Sequence, residues 1–89
     1  MIKNEFIELT KAEKVVLLLK SGEKLSQRNS TGFDIVLFLL DELFAELWYY
    51  ENTNRIVKAN FIESDSILVN YPNLINMPQV AEILIESKL

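Results

Sequence analysis

The sequence predicts an α+β protein of two layers, with an N-terminal helix, an antiparallel β-meander of three to four strands and a C-terminal helix. Three observations predict this class: a helix-capping motif at residues 10–13, apolar and aromatic runs divided by turn residues between 33 and 62, and a proline that opens an amphipathic segment at 78. Two helices on one face of an antiparallel sheet form two layers around one core. We therefore expect residues 1–89 to fold as a single domain.

The first predicted helix spans about residues 11–20. Thr10-Lys11-Ala12-Glu13 is a capping box, in which the Thr10 hydroxyl accepts from the backbone N–H of Glu13 and the Glu13 carboxylate reaches back to Thr10. We expect Gly22 to end this helix in the left-handed conformation. Residues 23–31 are mostly polar and fit a short edge strand or an extended connection. The predicted inward face of the helix is apolar and consists of Ala12, Val15, Val16 and Leu19.

Residues 33–50 fit either a hairpin or one long helix. The hairpin has strands at about 33–40 and 43–50, joined at Asp41-Glu42, and its first strand is apolar on both faces, as in the centre of a covered sheet. The helix has a polar stripe of four acidic residues, but Ile35, Phe38 and Tyr49 fall in the same arc.

The segment that follows favours the hairpin. Residues 51–54 have turn chemistry, and residues 56–62 return as a plausible strand whose adjacent partner is 47–50. The run Phe44-Ala45-Glu46-Leu47-Trp48-Tyr49, followed by Asn54-Arg55-Ile56-Val57-Lys58, also resembles a pattern in small uncharacterised bacterial proteins. Those proteins combine a short N-terminal helix with an F-x-E-x-W-Y strand and a hairpin return, and the likeness covers residues 10–62. The resemblance implies strands here and carries no activity.

The C-terminal third of the chain is predicted to cover the core. Residues 66–81 contain no charged side chain, and we expect them to lie across the core with one short helical turn after Asp65. Pro78 suits the first turn of a final helix at about 78–88. The predicted inward side chains of this helix are Val80, Ala81, Leu84 and Ile85.

The composition excludes several kinds of site. The chain has no Cys and no His, so it lacks disulfides, thiolate metal sites and the commonest general base. Two glycines are too few for a glycine-rich phosphate cradle. We therefore expect no catalytic, cofactor-binding or metal-ligating residues, no cofactor and no enzyme activity. Since the sequence has neither a signal-peptide core nor about 20 consecutive apolar residues, we expect a cytoplasmic protein that does not enter membranes. The abundance of Asn, Ile and Lys relative to Arg and Gly indicates an AT-rich bacterial genome.

The net charge of −4 is unevenly distributed: residues 1–32 carry +2 and residues 33–89 carry −6. An acidic balance argues against nucleic-acid binding, which needs clustered Lys and Arg. The hydrophobic content of 49% and the mean hydropathy of +0.13 are high for so small a chain.

With both helices on one face, the second sheet face is exposed, covered by residues 66–77 or buried in an oligomer. We expect a small non-enzymatic protein-interaction domain that self-associates, as a homodimer, through that apolar face. The candidate interaction residues are Phe38, Phe44, Trp48 and Tyr50. Two alternatives remain open: an acidic antitoxin or immunity-type protein that binds a basic partner, and a small carboxylate-dependent enzyme that uses Glu46.

Overall fold

The computed structural model describes residues 1–86 of the chain. Two helices, α1 (Lys3–Glu8) and α2 (Lys11–Ser21), precede four strands, β1 (Glu23–Ser30), β2 (Phe33–Leu40), β3 (Leu43–Tyr50) and β4 (Ile56–Ile62). The chain then forms α3 (Ser64–Asn70), a 3₁₀ turn (Pro72–Asn76) and α4 (Pro78–Glu86). The predicted α+β class, the antiparallel meander and the flanking helices are confirmed, and residues 33–50 form the hairpin rather than the long helix.

The four strands lie in chain order β1-β2-β3-β4, and each neighbouring pair is antiparallel. Strands β2 and β3 pair without interruption from Phe33 opposite Tyr50 to Leu40 opposite Leu43. Their two-residue connection is tight because Asp41 adopts a φ of 54°, a conformation that Asp tolerates better than most residues. The register places Glu46 opposite Leu37 in β2 and opposite Asn60 in β4.

Helices cover both faces of the sheet. Consecutive residues of β2 point to opposite faces of the sheet and enter two different hydrophobic clusters. Phe38 packs with Phe6 and Leu18 of the N-terminal helices. Leu37 packs with Ile67 and Leu84 of the C-terminal helices. The expectation that both terminal helices share one face of the sheet is therefore wrong. Residues 64–86 cover the second apolar face, so the helices form two layers with the sheet between them. We call α1 and α2 the N-terminal layer, and α3 to α4 the C-terminal layer.

Helix α2 begins as predicted but is rotated relative to the expected face. The Thr10 hydroxyl accepts from the Glu13 backbone N–H at 3.1 Å, and the Glu13 carboxylate accepts from the Thr10 N–H at 2.8 Å. The hydrogen bond from the Thr10 backbone N–H, with a further contribution from the Thr10 side chain, lowers the pKa of the Glu13 carboxyl below its ordinary value. Leu18 is fully buried, whereas Val16 and Leu19 are 62% and 57% exposed. Ala12 is exposed as well, so the predicted inward positions of Ala12, Val16 and Leu19 are wrong.

Gly22 ends α2 without the predicted left-handed turn. Its φ of −80° and ψ of 150° are extended, because the chain passes directly from the helix into β1. A Cβ at this position would lie 2.7 Å from the Leu18 carbonyl oxygen and 3.2 Å from the Phe38 ring. Glycine is thus required here because a Cβ would crowd the carbonyl of the last turn of α2 and, less closely, the Phe38 ring of β2, not for its freedom in φ.

Helix α4 keeps part of its predicted inward face. Val80 and Leu84 are buried and Ala81 is half-buried, but Ile85 is exposed, so its predicted inward position is wrong. The last part of the predicted 78–88 helix, from residue 87 onward, lies outside the described residues.

Candidate functional site

A buried carboxylate lies at the centre of the sheet face that the C-terminal layer covers. Glu46 points to this face together with Phe44 and Trp48, because alternate residues of β3 share a face. Its side chain accepts hydrogen bonds from the Tyr71 hydroxyl at 2.5 Å, from the Trp48 indole N–H at 3.0 Å, and from the Arg28 guanidinium at 3.2 Å and 3.3 Å. Glu46 is only 1% exposed. The cluster joins β1, β3 and the segment after α3.

The charges of this cluster compensate one another. Arg28 forms an ion pair with Glu46 and donates a second hydrogen bond to the Tyr71 oxygen at 3.0 Å. Burial acts to lower the pKa of Arg28, but the hydrogen bond to Tyr71 and the negative charge of Glu46 outweigh it, and the pKa is raised. Burial, followed by the hydrogen bond to Glu46 and its charge, raises the pKa of the Tyr71 phenol well above its ordinary value. The cluster therefore holds Arg28 charged and Tyr71 protonated.

The raised pKa of Tyr71 predicts a loss of stability in alkali. Above the ordinary pKa of 10.0, the unfolded chain releases the phenol proton while the folded chain retains it, so the folded state loses stability as the pH rises. We expect this residue to lower the free energy of unfolding by up to about 1.4 kcal/mol for each pH unit above that value. Urea unfolding of the wild type and of Tyr71→Phe at neutral and alkaline pH measures the two slopes. Tyr71→Phe should show the shallower slope, and equal slopes would contradict the assignment.

The geometry of Glu46 suits a structural role. A general acid or base needs a carboxylate oxygen within hydrogen-bond reach of a substrate. Both oxygens of Glu46 already accept from protein donors, and the side chain is covered by the C-terminal layer. The contacts of Glu46 connect three segments of the fold, and its carboxylate does not face a cleft.

The structure separates the four residues expected to form an interaction surface. Phe38 and Phe44 are buried, and they lie in the two different hydrophobic clusters on opposite faces of the sheet. These two residues are therefore core residues, and the expected shared surface is corrected, because helices cover the sheet face that it required. Trp48 is half-buried and Tyr50 is exposed, so these two remain accessible.

Trp48 and Tyr50 belong to an aromatic group at the end of the sheet. The Phe33 ring lies 5.4 Å from the Trp48 ring and 5.9 Å from the Tyr50 ring. Cations already cover these rings: the Lys58 ammonium lies 3.9 Å above Trp48, and the Arg55 guanidinium lies 5.6 Å from Tyr50. The aromatic faces are thus partly occupied by the chain's own side chains.

Exposed apolar residues are concentrated on the helices. Of the ten large hydrophobic side chains that are exposed in the described part of the chain, nine lie on or beside the helical layers, and Tyr50 is the tenth. We call the first group the N-terminal helix surface; it consists of Met1, Ile2, Ile7, Val16 and Leu19. We call the second group the C-terminal helix surface; it consists of Leu68, Val69, Ile75 and Ile85.

The N-terminal helix surface contains an open groove with a volume of about 540 Å³. The apolar side chains that line the groove include Leu9, Ala12, Val16 and Leu17, and the charged side chains are Glu13 and Lys20. Ala12, Val16, Leu19 and Lys20 share one side of α2 because residues three, four and seven apart lie on the same side of a helix. One side of α2 therefore packs on the sheet, and the other presents an apolar groove.

Sequence patterns miss two parts of this arrangement. Arg28 and Tyr71 are 18 and 25 residues from Glu46, and no local spacing indicates that they meet it. The signal that was available is the position of Glu46 between Phe44 and Trp48 on one strand face, which places a carboxylate among inward-facing aromatic side chains. The groove is missed because Val15 to Leu19 are five consecutive apolar residues, so helical periodicity fits more than one inward face.

Comparison of the chain with protein-family models, with curated proteins and with solved structures finds no match. None of the helices in residues 1–86 combines the length and the apolar character needed to cross a membrane. The function of the chain is therefore inferred from the geometry of its surfaces and of the Glu46 cluster.

Proposed function

We propose that this chain is a small protein-interaction domain that self-associates, with the N-terminal helix surface as a docking site. The observation that carries this proposal is the concentration of exposed apolar side chains on the helical layers, nine of the ten in the described residues. Contiguous exposed apolar patches are uncommon on monomeric soluble proteins and mark sites of protein contact. Both sheet faces are already covered, so the apolar surplus of the composition lies on the helices.

The shape of the groove supports a protein ligand rather than a small molecule. Small-molecule sites enclose the ligand and place several polar groups around it. This groove is open, and its lining is apolar apart from Glu13 and Lys20. An open apolar channel along a helix suits the side chains of another helix.

A carboxylate-dependent enzyme is less well supported. Its best candidate residue, Glu46, is buried and paired with Arg28. The burial of Glu46 among its own partners supports a role for this residue in the stability of the fold.

Val16→Asp should weaken self-association by about tenfold or more, because the variant places a carboxylate in the apolar groove that a partner would desolvate. Val16 is 62% exposed, so the fold should tolerate the change. Sedimentation velocity of the wild type and the variant at matched concentrations measures the effect.

Tyr50→Asp is the matched control. It introduces the same charge at an exposed apolar residue outside both helix surfaces, and it should associate like the wild type. If Tyr50→Asp dissociates the protein and Val16→Asp does not, the docking site lies at the aromatic group of the sheet end and the assignment to the N-terminal helix surface is wrong.

A further inference from the structure

We propose that self-association is head-to-tail: the N-terminal helix surface of one copy docks on the C-terminal helix surface of the next. This inference rests on the proposed function and names the partner of the same groove as a second copy of this chain. It concerns which two surfaces meet, and therefore whether the assembly closes as a dimer or continues as a chain.

The two surfaces lie on opposite sides of each molecule. The N-terminal layer packs on the sheet face that contains Phe38, and the C-terminal layer packs on the face that contains Leu37. Their exposed apolar side chains therefore face away from each other and cannot cover one another within one copy. Val16 on one side and Val69 on the other are 62% and 77% exposed.

The charges of the two surfaces are complementary. The N-terminal layer carries four lysines and three glutamates, and Lys11 and Lys20 are exposed beside the apolar side of α2. Residues 64–86 contain three acidic residues and no Lys or Arg. Glu82, Ile85 and Glu86 share one side of α4 by helical spacing, and all three are exposed. The C-terminal helix surface is thus acidic, whereas the N-terminal helix surface is weakly basic and has exposed lysines beside its apolar side chains.

The C-terminal helix surface fits a copy of itself less well than it fits the N-terminal helix surface. Pairing α4 with α4 of a second copy brings Glu82 and Glu86 of both copies together, whereas pairing α4 with α2 brings these carboxylates to Lys11 and Lys20. Like charges placed together at an interface oppose association, whereas opposite charges favour it. Docking the C-terminal helix surface on the N-terminal helix surface removes this repulsion and covers both apolar patches, whereas pairing the N-terminal helix surface with itself leaves the C-terminal one uncovered.

A contact between two different surfaces leaves one of each surface free on the assembly. Such a heterologous contact produces an open chain or a ring, whereas a contact between identical surfaces stops at a dimer. We therefore expect the average mass of the wild type to rise with concentration beyond that of two copies.

The test uses two variants that each block one surface: Val16→Asp for the N-terminal helix surface and Val69→Asp for the C-terminal helix surface. Each variant alone retains only one intact helix surface and should remain monomeric at concentrations at which the wild type associates. In an equimolar mixture, the intact C-terminal helix surface of Val16→Asp can bind the intact N-terminal helix surface of Val69→Asp. The mixture should therefore form a complex of one copy of each variant, and this complex should not grow further. Sedimentation equilibrium of the variants, separately and mixed, measures these masses.

Three results would overturn the proposal. If Val16→Asp dissociates the protein and Val69→Asp does not, the N-terminal helix surface pairs with itself, and the proposed function stands without the head-to-tail contact. If the mixture stays monomeric, the two surfaces do not bind each other. If the wild type is monomeric at every concentration, the proposed self-association itself is wrong.

Far-ultraviolet circular dichroism shows whether each variant is folded. Leu19→Asp and Ile85→Asp form a second pair at exposed positions of the same two surfaces, and the same pattern of masses is expected from them.

Discussion

Replacing Arg28 with methionine should lower the free energy of unfolding by about 3 kcal/mol. The substitution keeps most of the aliphatic side chain but removes the cation that pairs with Glu46, leaving a carboxylate that is 1% exposed with only the Tyr71 and Trp48 donors. Removing one partner of a buried ion pair is costly because the remaining charge stays desolvated. Equilibrium unfolding in urea at neutral pH measures the loss.

Arg55→Met is the matched control for this change. Arg55 is exposed and lies 5.6 Å from the Tyr50 ring, so its replacement should change the free energy of unfolding by less than about 0.5 kcal/mol. Equal losses in the two variants would mean that the ion pair with Glu46 contributes nothing particular to stability.

A double variant separates the buried charge from other effects of the substitution. Arg28→Met combined with Glu46→Gln should be more stable than Arg28→Met alone, because a neutral amide costs less to bury than a carboxylate and its oxygen still accepts from Tyr71 or Trp48. A double variant that is less stable than Arg28→Met would show that the uncompensated charge is not the cause of the loss.

Leu18→Ala should destabilise the fold by about 2–5 kcal/mol, whereas Leu19→Ala should change stability by less than about 0.5 kcal/mol. Leu18 is fully buried against the sheet, and removing its side chain leaves a cavity. Leu19 is 57% exposed, and alanine favours the helix at least as well as leucine. Urea unfolding of both variants measures the orientation of α2.

The reverse order of these two effects would contradict the structure. It would place Leu19 inward, on the face that the spacing of Ala12, Val15, Val16 and Leu19 predicts. The groove of the N-terminal helix surface would then be absent, because Val16 would also face the sheet.

The strand assignments followed from strong local signals. Turn residues bound each strand of the 33–62 segment, and the capping box set the start of α2 at Lys11. Turn and capping chemistry depends on neighbours a few residues apart, so one sequence contains it.

The placement of the layers was harder to predict because it depends on contacts distant in sequence. Strand β2 is apolar on both faces, which indicates a covered strand but not which helices cover each side. The Glu46 cluster could not be predicted for the same reason, since its members lie on β1, β3 and the segment after α3. Phe38 and Phe44 were predicted as surface residues for this reason: their burial depends on helices from both ends of the chain.

Sedimentation equilibrium of the wild type from micromolar to millimolar concentration tests the central claim most directly. An interaction domain that self-associates through its helix surfaces should show an average mass that rises with concentration above the 10.3 kDa of one chain. A mass that stays at 10.3 kDa at every concentration would contradict the claim and leave the exposed apolar side chains of the helices without the partner proposed here.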